Sequence, residues 1–154
     1  MHDNPELTDL SGLDSLRSAR HVVVSGNPSL KSLRGLEGLT RLDLLVIEHN
    51  GLYRATGLSG LTDVGQLVVI GNPKLNSLQG LSSLTHARSV EISNNPRLCA
   101  RGMLPALARV DRGMNVTANR GLSKPDLRVL MGRVERGADQ PGADGIAVLD
   151  EDAP

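Results

Sequence analysis

The sequence is nearly free of aromatic side chains and of cysteine. It has no Phe, no Trp, one Tyr and one Cys among 154 residues. A single cysteine excludes an intrachain disulfide framework. The scarcity of aromatics disfavours a sugar-stacking surface and an interface built on Tyr and Trp. Leu, Val and Ile must therefore form the core, which suits stacked layers of branched aliphatic side chains.

Net charge and long apolar runs are also lacking. The chain has 17 basic and 17 acidic residues, so the molecule as a whole is not suited to binding nucleic acid or an anionic membrane. No run is long enough to span a bilayer, and residues 1–10 lack the apolar core of a signal peptide. These absences favour a cytoplasmic location for the chain as given. A chain cut from a longer protein would also fit the cell surface or secretion.

Sequence motifs of catalytic and metal sites are missing as well. The chain has no HExxH, GxSxG, GxxxxGK[ST], GxGxxG or CxxC motif. Its histidines stand at different offsets within the repeat described next, so they are not expected to form a ladder. Cys99 follows the apolar Leu98, which is typical of a small packed thiol rather than a nucleophile. We therefore expect no enzymatic activity, no cofactor, no metal and no small-molecule substrate.

What the sequence does contain is a repeat. Asparagines recur at steps of 23, 23, 22, 23 and 24 residues: Asn4, Asn27, Asn50, Asn72, Asn95 and Asn119. A nearly constant period of this size indicates a solenoid. The four inner repeats share the apolar spacing L-x-x-L-x-L-x-x-N, as in Leu42, Leu45 and Ile47. Before Asn119 the spacing is partial, with Asp111 where an apolar residue is expected.

After each Asn the apolar period changes from two to three, as in Leu75, Leu78, Leu81 and Leu84. Period two indicates a strand, and period three a tighter return leg of 3₁₀ character. Each coil then adds one strand to a parallel sheet, and no coil buries its apolar face alone. The sequence therefore predicts an α/β repeat solenoid, a right-handed parallel β-helix with coils of 22–24 residues, over residues 1–122.

The C-terminal residues depart from the repeat. Residues 123–136 read SKPDLRVLMGRVER, in which Ser123 suits a helix N-cap. The apolar residues of this segment form one stripe: Leu127, Leu130, Met131 and Val134. We predict a capping helix over 123–136. Residues 137–154 have five acidic and no basic residues, a composition typical of a disordered tail.

Two segments carry a recognisable phrase, GNPSLKSLRGLEGL at 26–39 and GNPKLNSLQGLSSL at 71–84. Together with the strand spacing, this phrase resembles the leucine-rich repeat, and in its fuller form the receptor L domain of insulin- and EGF-receptor ectodomains. It is also similar to bacterial leucine-rich-repeat proteins. The resemblance covers roughly residues 4–122. It implies a leucine-rich-repeat solenoid that serves as a non-catalytic recognition module.

The outward-facing strand positions of the middle coils are unexpectedly apolar. Such positions on a free sheet face should be mostly polar, as they are in the last two coils. A contiguous apolar patch on a soluble domain usually marks an interface. We therefore predict a partner-binding face of five apolar residues rimmed by two carboxylates: Val23, Leu44, Val46, Val68 and Ile70, with Glu48 and Glu91. The expected partner is another protein or a second copy of the chain.

Other interpretations remain open. Val is also a good strand residue, and flanking sequence would explain the patch by covering it. Asn4 and Pro5 begin a turn with no predicted strand before it, so the first rung would self-assemble end to end or by edge pairing. The tail segment GIAVLD at 145–150 would dock on a partner or on the basic region of a neighbour. That basic region, 101–136, would bind phosphate or nucleic acid, although it lacks interleaved aromatics.

Overall fold

The computed structural model describes residues 1–100 and 102–136. Its centre is a parallel sheet whose strands lie in chain order. The strands are β1 His21–Ser25, β2 Arg41–Glu48, β3 Asp63–Ile70, β4 His86–Ser93, β5 Arg109–Thr117 and β6 Glu135–Arg136. The helix α1 spans Lys124–Arg133, and 3₁₀ turns span Ser11–Leu13 and Gln79–Leu81. Five strands stack as a β-solenoid of about 4 turns followed by the helix, which confirms the predicted architecture. The predicted tail, 137–154, lies outside the described residues.

The core consists of the aliphatic residues that the repeat predicted. On the strands, Leu45 and Ile47 are fully buried while their neighbours Leu44 and Val46 are half-buried. On the return legs, the residues at period three are buried in the coils after Asn27, Asn50 and Asn72, whereas most of those in the first coil are only partly buried. Leu81 donates its backbone N–H to the carbonyl of Leu78 at 2.8 Å. An i to i+3 bond of this kind is the 3₁₀ geometry expected from that period. All the buried aliphatic residues belong to one cluster.

A column of buried asparagines joins consecutive coils: Asn27, Asn50, Asn72, Asn95 and Asn119. Asn72 is fully buried, and its side-chain nitrogen donates to the carbonyls of Ile47 and Ile70 at 2.9 and 3.0 Å. Its side-chain oxygen accepts the backbone N–H of Asn50 at 3.0 Å. Asn95 accepts the backbone N–H of Asn72 at 3.0 Å in the same way. Each side chain therefore satisfies backbone groups of its own coil and of the coil before it, which would be costly to bury unpaired.

A residue with left-handed backbone precedes every repeat asparagine. The φ angles are 52° at Asp3, 68° at Gly26, 52° at His49, 64° at Gly71, 56° at Asn94 and 53° at Ala118. This conformation turns the chain from the strand into the core, and Asn, Asp and Gly tolerate it best. The period alone did not reveal this column, because only two of its six residues are glycine. Of the six residues, Ala118 is the one for which the left-handed conformation is least favourable.

A one-residue bulge lies in β5. Ala87 pairs with Val110, but Ser89 pairs with Gly113, so β5 has one residue more than β4 over the same stretch. The bulge accounts for the longest step between repeat asparagines, 24 residues. It also explains why Asp111 stands in an apolar repeat position, because Val110, 3% exposed, fills the core there instead.

The helix α1 begins where the sequence predicted. Asp126 donates its backbone N–H to the Ser123 hydroxyl, and Ser123 donates its own to the Asp126 carboxylate, which forms a capping box. Leu127 and Leu130 are buried and belong to the same core cluster as the coils. The helix ends at Arg133 rather than at 136, because the backbone at Val134 is extended and residues 135–136 pair with β5 as β6.

The residues before Asn4 are not a bare turn, contrary to the expectation from the sequence. His2 pairs with Ser25 as a parallel bridge. The Met1 backbone nitrogen donates to the carbonyl of Val23 at 2.8 Å, and Ser25 donates to the Met1 carbonyl at 3.0 Å. The outer edge of β1 is therefore covered at its C-terminal half. Residues 1–3 are too few and too polar for their sequence to predict a strand.

The asparagine column predicts a large effect of Asn72→Ala. The change leaves the N–H of Asn50 and two carbonyls buried without their partner. We expect the free energy of unfolding, measured by urea denaturation, to fall by roughly 3 kcal/mol. Asn76→Ala is the matched control, because the Asn76 side chain is partly exposed on the same coil. Equal losses in both variants would contradict the role of the column.

The left-handed backbone at Ala118 predicts that Ala118→Gly stabilises the protein. Removing Cβ relieves the cost of φ at 53°, which outweighs the extra entropy of the unfolded glycine. We expect the free energy of unfolding to rise by about 0.5–1 kcal/mol. The control is Ala108→Gly at an exposed residue outside the left-handed set, where we expect a loss. A loss at both positions would contradict the strain at Ala118.

Candidate functional site

The strand register brings the five predicted apolar residues together on the outer face of the sheet. Val23, Val46 and Val68 stand side by side on β1, β2 and β3. Leu44 lies two residues before Val46, and Ile70 lies two residues after Val68, on the same face of their strands. Each of the five is half-buried. We call this set the apolar patch.

The two predicted carboxylates border the apolar patch on different sides. Glu48 lies between Ser25 and Ile70 in the register, towards the C-terminal ends of the strands. Its carboxylate is 3.4 Å from the ring nitrogen Nδ1 of His49. Glu91 lies beside Val68 on the next strand, β4. The border of the patch on these two sides is therefore acidic.

Next to this acidic border lies an amide oxygen that accepts no hydrogen bond from any described residue, that of Asn115. Asn115 on β5 is the register neighbour of Glu91. Its side-chain oxygen is buried, and within the described residues no group donates a hydrogen bond to it. A buried polar atom without a partner is costly, so this oxygen is an unmet acceptor next to Glu91. The sequence gave no sign of this, because the burial of one amide atom depends on side-chain packing.

A second cluster, which the sequence analysis missed, lies at the N-terminal ends of the strands. The His86 ring nitrogen Nδ1 is 2.7 Å from Oδ2 of Asp63, and Nε2 is 2.9 Å from Oδ2 of Asp111. The other oxygen of Asp111 accepts a hydrogen bond from Nε of Arg109 at 2.7 Å. We call these four residues the histidine clamp. It spans β3, β4 and β5, each side chain being partly exposed.

The histidine clamp follows from the register and from the bulge. Asp63 and His86 stand nine residues before Asn72 and Asn95, so the repeat places them side by side. This shared offset was the available signal. Asp111 comes within reach of His86 because the bulge turns it outward while Val110 takes the core position. Comparing the histidines only with one another could not reveal a carboxylate on each side of His86.

Hydrogen bonding within the clamp shifts two pKa values in opposite directions. The hydrogen bond with Asp63, and then the one with Asp111, raises the pKa of His86, because both carboxylates favour the charged ring. The hydrogen bond from Arg109, followed by that from His86, lowers the pKa of Asp111. The His86 imidazolium and the Asp111 carboxylate therefore stabilise each other's charged forms.

The remaining candidate groups are placed as follows. Cys99 is exposed rather than packed, since the chain turns outward directly after the buried Leu98, and its Sγ is 3.2 Å from the carbonyl of Asn76. Within residues 1–100 and 102–136, no group of three or more His, Cys, Asp or Glu side chains is placed to hold a metal ion. In the same part of the chain, no helix is long and apolar enough to cross a membrane.

Comparison with protein-family models, with curated protein sequences and with solved structures finds no significant match to this chain.

Proposed function

We propose that this protein is a non-enzymatic protein-interaction module that binds its partner on the outer face of the parallel sheet. The observation that supports this most is the row Val23, Val46 and Val68, in register on three neighbouring strands and half-buried. Sheets made only of parallel strands occur almost always with both faces covered. Here the inner face lies on the core, and the outer face presents the apolar patch.

The border of the patch indicates the chemistry of the partner. An apolar strip is needed to cover the patch, since burying apolar surface contributes about 25 cal/mol per Å². Cationic side chains are needed beside it, because Glu48 and Glu91 flank the patch. We therefore propose a protein segment with alternating apolar residues and Lys or Arg at its flanks.

We further propose that the solenoid is a leucine-rich-repeat domain of the receptor L-domain type. Support comes from the L-x-x-L-x-L-x-x-N spacing and from the asparagines buried in one column. The 3₁₀ turns at Ser11–Leu13 and Gln79–Leu81 fit the short return legs of such repeats. This assignment agrees with a recognition function, because the shared residues build the scaffold and leave the outer positions free to vary.

The proposal predicts that Val46→Glu with Val68→Glu abolishes partner binding. The probe is a set of peptides selected from a random display library on the wild-type protein. We expect their consensus to alternate apolar residues and to contain Lys or Arg. We expect at least a tenfold loss of affinity for the double variant in titration calorimetry, because two buried carboxylates face an apolar strip.

The matched control for this double variant adds the same charge elsewhere. Ser59→Glu with Ser82→Glu places two carboxylates at exposed positions of the return legs. This control should bind like the wild type. Far-ultraviolet circular dichroism and urea unfolding establish that both variants keep the fold. Selected peptides that lack basic residues, or that bind the Val46→Glu, Val68→Glu variant unchanged, would contradict the proposed face.

A second copy of the chain is the other candidate partner, favoured by the edge of β1. Val23 and Ser25 direct backbone groups at residues 1–3, whereas no residue of the described chain pairs with His21 from that side. Successive residues of a parallel strand direct their backbone groups to alternate neighbours, so His21 directs its N–H to the open edge. An open edge of this kind is a template for strand pairing.

Self-association predicts a mass that increases with concentration in light scattering. If the edge of β1 is responsible, His21→Pro should abolish the increase, because proline has no N–H to donate. His21→Gln keeps the N–H and serves as the control. If the apolar patch is responsible, the Val46→Glu, Val68→Glu variant should abolish the increase instead. A monomer at all concentrations excludes this second candidate and leaves the binding of another protein unaffected.

A further inference from the structure

We propose that the histidine clamp is a pH-dependent latch that fastens the last coil and its cap to the coils before it. This inference is independent of the proposed binding function. It rests on the placement of His86 between Asp63 on β3 and Asp111 on β5, with both ring nitrogens within hydrogen-bond distance of a carboxylate.

The geometry requires the charged form of the ring. A carboxylate oxygen is only an acceptor when ionised, so each of the two contacts needs a proton on the ring nitrogen. A neutral imidazole carries one N–H and one lone pair. When His86 loses its proton, it keeps the bond to one carboxylate and presents a lone pair to the other. One of the two links between neighbouring coils is then lost.

The fold makes the β5 link important. The bulge interrupts the regular pairing of β4 with β5 between Ala87 and Ser89, directly after His86. On its other side, β5 pairs with β6 only at Arg109 and Val110 within the described residues. The contact between His86 and Asp111 crosses the interface of β4 and β5 at this interrupted level. The clamp therefore supplies a side-chain link beside the point at which the bulge interrupts the backbone ladder.

The other charged groups around His86 do not remove the need for its proton. Arg109, its register neighbour on β5, bonds to the Asp111 oxygen that His86 leaves free. Arg88 follows on β4 itself and is exposed. Further along the same row, Arg41 on β2 is the neighbour of Asp63, and Glu135 on β6 is the neighbour of Arg109. The two carboxylates in direct contact with the ring set its protonation.

The direction of the pH dependence follows from these contacts. The pKa of His86 is raised above its ordinary value of 6.5, first by Asp63 and then by Asp111. A group whose pKa is higher in the folded state contributes its full stabilisation below the unfolded value and loses it as the pH rises through the folded value. The pKa of Asp111 is lowered, so that carboxylate stays charged well into the acid range. The latch is closed at mildly acidic pH and opens on the alkaline side of 6.5.

The test combines two measurements on the full chain. Ring resonances of the four histidines in NMR give the pH midpoint of each one. Amide hydrogen exchange of β5, compared between wild type and His86→Gln at the same pH, gives the strength of the latch. At about pH 6 we expect β5 amides to exchange about two- to fivefold more slowly in the wild type, the factor that part-exposed ion pairs produce. This factor should fall as the pH rises through the midpoint of His86.

The controls separate the latch from a general effect of histidine. His21→Gln, at an exposed residue on β1, should match the wild type at every pH. Asp111→Asn is an independent variant that keeps His86. It should lower the pH midpoint of the His86 ring, because it removes one of the two carboxylates beside the ring. Two results would overturn the proposal: a His86 midpoint at or below the ordinary value of 6.5, or a difference in β5 exchange that does not change with pH.

Discussion

The rest of the structure depends on the requirement that a buried turn must have its backbone polar groups satisfied. Each coil enters the core directly after its strand, and the backbone groups there are out of reach of water. The asparagine column meets this requirement, because one amide supplies both donors and an acceptor at the centre of the turn. The strand, the left-handed residue before each Asn and the return leg are placed relative to that amide. The repeat period is therefore the length of chain between two successive amides of the column.

This constraint explains why the sequence revealed the scaffold so clearly. A solenoid repeats one packing problem, so the same residue types recur at the same offsets, and their recurrence is visible without any structure. The buried positions Leu45, Ile47 and the period-three leucines followed from spacing alone. The capping helix followed from Ser123 and its apolar stripe. Its end at Arg133 did not, because pairing of β6 with β5 is a tertiary contact that overrides local helical preference.

Features that occur once were harder to predict. The bulge in β5 replaces Asp111 by Val110 in the core, and its one-residue length looked like a broken repeat. The left-handed column was hidden because Asp, His, Asn and Ala occupy it as well as Gly. The contact of His86 with Asp63 is visible only when residues at the same repeat offset are compared between coils. The contact with Asp111 depends in addition on the bulge. For the candidate site, spacing predicted which residues face outward and adjoin, whereas the buried oxygen of Asn115 depended on packing around one atom.

The inner and outer faces of the sheet are under different constraints. The inner positions are fixed by the core and the asparagine column, so a change there costs stability in every coil it touches. The outer positions are free of this packing constraint, and yet their residue types form a pattern. Towards the C-terminal ends of the strands they present the apolar patch with acidic residues beside it, and at the N-terminal ends they present a closed network of opposite charges.

The charged end has its interactions satisfied, because each ion of the histidine clamp has a partner within the fold. The apolar end does not, since its valines remain half-exposed and the Asn115 oxygen has no donor among the described residues. This contrast between the two ends of one sheet is the physical reason for proposing partner binding at the apolar patch rather than at the clamp.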